Sequence, residues 1–96
     1  MKENVNIPIS MEWTTQEIID VTTFFQIIET AYGKAVPRED ILGLYKKFKE
    51  VVPSKSEEKQ MFRQFDEDAE VSCWKTVQAA KKAEAEEKIN MAVRSG

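Results

Sequence analysis

Three hydroxyl residues, Thr14, Ser54 and Ser72, each stand just ahead of a segment whose apolar side chains recur every three to four positions. Such a residue accepts a hydrogen bond from a free backbone N–H in the first turn of a helix. Nowhere does the chain alternate β-branched and polar residues for long enough to build a sheet. The sequence therefore predicts an all-α fold, a small compact bundle or array of three to four helices with short loops and an irregular N-terminal arm. At 96 residues it makes one domain spanning residues 1–96.

The arm, residues 1–12, contains Pro8, which keeps Ile7 extended. Ile7, Ile9 and Met11 alternate and can lay one apolar edge on the domain. A helix over 14–32 opens on Thr14-Thr15-Gln16-Glu17, a capping box flanked by Trp13 and Ile18 as a hydrophobic staple. Ile18, Val21, Phe24, Phe25, Ile27, Ile28, Ala31 and Tyr32 cover half its circumference, the pattern of a central helix with several neighbours. Gly33 is placed to stop it. A second helix, 37–52, starts with Pro37 in the first turn and carries the stripe Ile41, Leu44, Tyr45, Phe48, Val51 and Val52. A third, 55–69, opens on a second capping box, Ser54-Lys55-Ser56-Glu57, and has a narrow stripe of Met61, Phe62, Phe65 and Ala69. A fourth, 73–92, continues an apolar face through Val71, Trp74, Val77 and Ala80, with Lys81 landing on that face. Its later half, Lys-Lys-Ala-Glu-Ala-Glu-Glu-Lys, has high helix propensity and little to bury, so the expectation is a solvated helical tail.

Composition narrows the chemistry. There is no histidine, a single cysteine and a net charge of -3. The side chain most used for proton transfer near neutral pH, and most used as a metal ligand, is missing. A thiol without a base or a resolving partner is expected to be a buried, inert Cys73. The acidic run Asp66-Glu67-Asp68-Ala69-Glu70 has neither the glycine nor the bidentate glutamate of a calcium loop; Val71 and Val77 occupy those positions. Glu57 and Glu58 read as first-turn acids of an exposed helix rather than as an acid–base pair. No phosphate loop, nucleophile elbow or metal-ligand spacing occurs, so neither enzyme activity nor a cofactor or metal is expected. No apolar run approaches the ~20 residues of a membrane span, and Met1-Lys2-Glu3-Asn4 lacks the order of a secretory signal. With one cysteine, the expectation is a cytoplasmic protein.

Residues 38–55 carry five basic and three acidic side chains, and residues 56–70 two basic and six acidic. Complementary pairing between neighbouring helices accounts for this. An acidic third helix would repel phosphates, which argues against nucleic-acid binding.

Several features in order are similar to one known group. Glu12-Trp13-Thr14-Thr15-Gln16-Glu17 resembles the opening of the YktA-like family of small uncharacterised bacterial proteins (UPF0223). Tyr45, Phe48 and the run Val52-Pro53-Ser54-Lys55-Ser56-Glu57-Glu58-Lys59 resemble its central segment, and Phe65, Ser72 and Lys75 its later part. The resemblance covers roughly residues 7–90. It implies an all-helical cytoplasmic protein of low-GC Gram-positive bacteria without an assigned function, and it carries over no catalytic or ligand residues. Glu70-Val71 departs from the Gly-Tyr usual in relatives.

The leading expectation is thus a non-enzymatic interaction or adaptor protein with a protein partner, or self-association. Its candidate surface comprises Ile19 and Leu42, at the edges of their apolar stripes, and Lys55, Glu57, Glu58 and Lys59 at a capped, charged corner. Two alternatives stay open. One is nucleic-acid or nucleoprotein association through the lysines of the second helix. The other is a small-ligand binder or enzyme using Glu57, Glu58 or the Asp66–Glu70 cluster, which needs a concave pocket with inward carboxylates.

Overall fold

The computed structural model describes residues 9–94. Four helices form the body: α1 (Thr15–Thr30), α2 (Arg38–Val51), α3 (Lys55–Ala69) and α4 (Cys73–Lys82). A two-residue strand β1 (Val36–Pro37) precedes α2, and β2 (Lys88–Ile89) with a single turn α5 (Met91–Arg94) follows α4. No helix among the described residues is long and apolar enough to cross a membrane.

The capping box at Thr14 forms in full: Glu17 N–H donates to Thr14 Oγ1 at 3.1 Å and Thr14 N–H donates to Glu17 Oε1 at 2.9 Å. At Ser54 the bond from Glu57 N–H to the serine hydroxyl is present, at 3.4 Å, and Ser56 Oγ lies 3.1 Å from the same hydroxyl. Pro37 is the residue before the first turn of α2 rather than within it. Gly33 does not act as a left-handed stop, since α1 closes on a right-handed Ala31 and a following turn. Ile7 lies outside the described residues. Met11 is 99% exposed and Ile9 half exposed, so those two lay no continuous apolar edge on the domain.

The broad face of α1 sits at the centre as its pattern predicts. Val21, Phe24, Phe25 and Ile28 are wholly buried, with Ile41, Phe48 and Val52 from α2 and its end, and Phe62, Phe65 and Ala69 from α3. Phe24 is the hub. Its ring centroid is 4.9 Å from Phe48, 5.3 Å from Phe25, 5.7 Å from Tyr45 and 5.9 Å from Phe62. Phe25 reaches Phe65 at 4.7 Å. Contacts at these separations add to the area the rings bury.

Helix α4 corrects the expected face. Its buried side is Cys73, Thr76, Val77 and Ala80, while Trp74 points outward and is 47% exposed. Thr76 is accommodated because its hydroxyl donates to Ser72 C=O at 2.7 Å. The C-terminal segment is the larger correction. The predicted helix over 73–92 ends at Lys82; a turn follows, with Glu87 N–H donating to Glu84 C=O. The chain then runs back to pair antiparallel with β1, Val36 opposite Ile89 and Pro37 opposite Lys88. Met91 N–H donates to Ala31 C=O at 2.7 Å, and Arg38 Nε donates to Ala80 C=O at 2.8 Å. Ile89 is fully buried and Met91 nearly so. Burying one such side chain is worth about 1.5–3 kcal/mol, more than the few tenths per residue by which helix propensity favours the alternative.

Helix α3 ends on Glu70 in the left-handed conformation, φ 58°. A side chain with a Cβ is disfavoured there by roughly 1–2 kcal/mol, and glycine is not. Glu70→Gly is therefore expected to raise stability by about 0.5–1 kcal/mol, the remainder offset by the greater freedom of glycine in the unfolded chain. Urea denaturation of both proteins checks this; an unchanged or lower midpoint would contradict it.

Candidate functional site

Helix α3 turns one long row of side chains toward α2 and α4, and the three helices enclose a surface cleft of about 670 Å³. Its apolar part is aromatic, made by Tyr45 of α2, Phe62 of α3 and Trp74 of α4. Lys55, Lys59 and Arg63 stand along one wall and Lys81 on the other. Asp66 and Glu67 line its far end.

The base of the cleft is polar and paired. Glu58, expected on an exposed first turn, is 7% exposed. Its Oε1 meets Lys49 Nζ at 2.7 Å and its Oε2 accepts from Tyr45 Oη at 2.7 Å. Burial, then the Glu58 hydrogen bond and charge, push the Tyr45 phenol well above its ordinary value, so it remains a neutral donor. This carboxylate is consumed by structure: one oxygen neutralises a lysine and the other fixes a phenol. Glu58→Ala leaves Tyr45 and Lys49 without their shared acceptor and is expected to cost about 1–3 kcal/mol. Glu58→Leu combined with Tyr45→Phe, which removes the acceptor together with its phenol donor and leaves only the partly exposed Lys49 unpaired, is expected to cost less than the single alanine. Equal losses in thermal melts would contradict the pairing.

Lys81, expected on the apolar side of α4, lies instead on its exposed side, seven residues after Trp74. Its ammonium lies 5.4 Å from the Trp74 ring centroid and 5.5 Å from that of Tyr45, over both faces. A cation over an aromatic face is held electrostatically, worth ~0.5–1 kcal/mol at exposed sites.

The acidic run resolves into distinct roles. Asp66 Oδ1 accepts from Cys73 N–H at 2.8 Å, at the start of α4, where a helix dipole favours an anion. Burial raises the Asp66 carboxyl above its usual range, and the Cys73 hydrogen bonds partly offset this. Burial, reinforced by the Asp66 charge, also raises the Cys73 thiol, so the nucleophilic thiolate is suppressed. Among the described residues no group of three acidic, cysteine or histidine side chains is placed to hold a metal ion.

The residues singled out in the sequence divide accordingly. Lys55, Glu58 and Lys59 meet in the cleft. Glu57 lines instead a smaller depression of about 230 Å³ shared with Ile9, Trp13 and Met61. Ile19 is 50% exposed on α1, outside both. Leu42, expected at an exposed edge, is half-buried against the core. Sequence reasoning missed Trp74, Arg63 and Lys81 as cleft residues. The spacing of Lys55, Lys59 and Arg63, four apart on one helix, was the available signal.

The sequence profile of the Uncharacterised protein family (UPF0223) matches residues 4–89. The chain belongs to this family. Among its relatives, a UPF0223 protein of Oceanobacillus iheyensis is 53% identical over 74 residues, covering 77% of this chain and 84% of that one. A UPF0223 protein of Bacillus pumilus is 44% identical over 84 residues, 88% and 94% of the two chains. The UPF0223 protein YktA of Bacillus subtilis is 43% identical over 77 residues, 80% and 88%. The UPF0223 match ends at Ile89, the residue whose burial closes the C-terminal segment on the core. The UPF0223 family is uncharacterised.

Proposed function

We propose that the protein is a non-enzymatic interaction module that docks a segment of another protein in the cleft between α2, α3 and α4. The observation that carries this reading is the aromatic surface of Tyr45, Phe62 and Trp74 in the cleft, lined also by Lys55, Lys59, Arg63 and Lys81, in a chain whose net charge is -3. Interfaces favour such a composition, with aromatic and arginine side chains near an apolar centre and a charged rim. The groups that could do acid–base work argue against catalysis. Glu58 is ion-paired with Lys49, the Tyr45 phenol and Cys73 thiol are held protonated, and Asp66 is committed to the α4 backbone.

Affinity capture from a Bacillus subtilis lysate, with and without nuclease, tests this. The intact protein is compared with Lys55→Glu/Lys59→Glu. A defined protein retained after nuclease treatment and lost with the variant is the expected result. A partner retained equally by the variant would contradict the placement, and recovery that collapses with nuclease would favour nucleoprotein association instead.

A further inference from the structure

The cleft wall formed by α3 is charged in a fixed order. Lys55, Lys59, Arg63 and Glu67 stand four residues apart, all exposed and all lining the cleft. At 1.5 Å rise per residue the series extends about 18 Å along the helix, with neighbours roughly 6 Å apart. Three cations are thus followed by an anion, and Asp66 reinforces the negative end. Lys49 does not alter this order, because Glu58 holds it at the base.

We propose that the cleft recognises an amphipathic helix of another protein with three acidic side chains and then a basic one, each four residues apart, beside an apolar stripe. The proposal deepens the interaction reading and rests on it. A helical occupant matches because side chains four apart form a ridge on any α-helix. Two such ridges interlock at a crossing angle near −50°, the commonest helix packing in globular proteins. The acids then face Lys55, Lys59 and Arg63, and the base faces Glu67. The apolar stripe lies on Trp74 and Tyr45, which requires the Lys81 ammonium to leave their faces. That movement places a fourth cation beside the incoming acids.

Charge order also separates this occupant from a nucleic acid. Aromatic rings beside a basic row could stack bases and track a phosphate backbone. A polyanion laid along the whole cleft would meet Asp66 and Glu67 at its far end, which repels it. A second copy of this chain is an alternative occupant, and sedimentation equilibrium of the intact protein and of Arg63→Glu tests for it.

The test uses the full chain and isothermal titration calorimetry at physiological ionic strength. The probes are alanine-based helical peptides with Glu at three positions four apart, Lys at the fourth and leucines on the adjoining stripe, made in both chain directions. Controls are a scrambled peptide of equal composition, a peptide with Glu at all four positions, and oligothymidylate. One direction of the patterned peptide is expected to bind at least tenfold tighter than the scrambled one. Trp74→Ala is expected to weaken it at least tenfold. Glu67→Lys changes only an exposed residue, and it is expected to reverse the preference so that the four-Glu peptide binds more tightly than the patterned one.

Patterned and scrambled peptides binding equally would overturn the charge-order proposal and leave the interaction reading standing. So would the absence of peptide binding while Lys55→Glu/Lys59→Glu still loses its captured partner. No peptide binding with a captured partner that ignores the variant would overturn both. Oligothymidylate binding more tightly than any peptide, or a dimer that Arg63→Glu converts to monomer, would overturn the proposal in favour of nucleic acid or a second copy.

Discussion

Replacing Phe24 with alanine is expected to lower the stability of this protein by about 3–5 kcal/mol. Phe24 is wholly buried, and its ring lies within 6 Å of Phe25, Tyr45, Phe48 and Phe62, side chains from three helices. Truncation removes the ring from the contact point of α1, α2 and α3, and aromatic neighbours locked in their own packing can close only part of the space. A domain of this size has a net stability of about 5–15 kcal/mol, so the substitution removes a substantial share of it. Guanidinium denaturation followed by far-ultraviolet circular dichroism measures the loss. A cost below about 1.5 kcal/mol would mean that the core collapses freely around the missing ring, against the close packing described here.

The second large effect lies at the opposite end of the chain. Ile89→Ala is expected to cost about 2–4 kcal/mol. Ile89 is fully buried, its strand pairs with β1, and the neighbouring Met91 N–H is fastened to the end of α1. A solvated helical tail would make the same substitution neutral or slightly favourable, because alanine is the better helix former. The two outcomes differ in sign as well as size. Thermal unfolding of the variant, with Ala85→Gly in the exposed turn as a comparison, decides between them.

These two sites also mark where the sequence was legible and where it was not. The central role of α1 follows from the width of its apolar face, and the cap at Thr14 from four consecutive residues. Both are local patterns, and local patterns survive folding when nothing outcompetes them. The C-terminal segment is the reverse case. Its helix-favouring run from Lys81 to Lys88 is outweighed by Ile89 and Met91, two apolar residues too few to register as a periodic stripe. Trp74 was misplaced for a related reason. Cys73, Thr76, Val77 and Ala80 define a face of small side chains that pack closely against the core. The rotation from the expected face puts the largest residue of α4 at the surface.

Glu58 is buried against the expectation of an exposed first turn. It is four residues before Phe62 and seven before Phe65, so it shares their buried stripe. A carboxylate is tolerated there only because Lys49 and Tyr45 on α2 reach it, and which helix lies opposite α3 is not written in any single segment. The cleft is illegible for the same reason. Lys55, Lys59 and Arg63 are a readable series, but Trp74 and Lys81 join it only once α4 is docked beside α2.

The cleft between α2, α3 and α4 is the proposed docking surface for another protein. Amide hydrogen exchange, compared between the free protein and its complex with the captured partner, tests that most directly. Slowed exchange confined to α3 and the cleft-facing parts of α2 and α4, with the Ile19 face of α1 unchanged, is the predicted result. Protection centred on Ile19 or on the Glu57–Met61 depression, with the backbone around Arg63 and Trp74 exchanging as before, would contradict it.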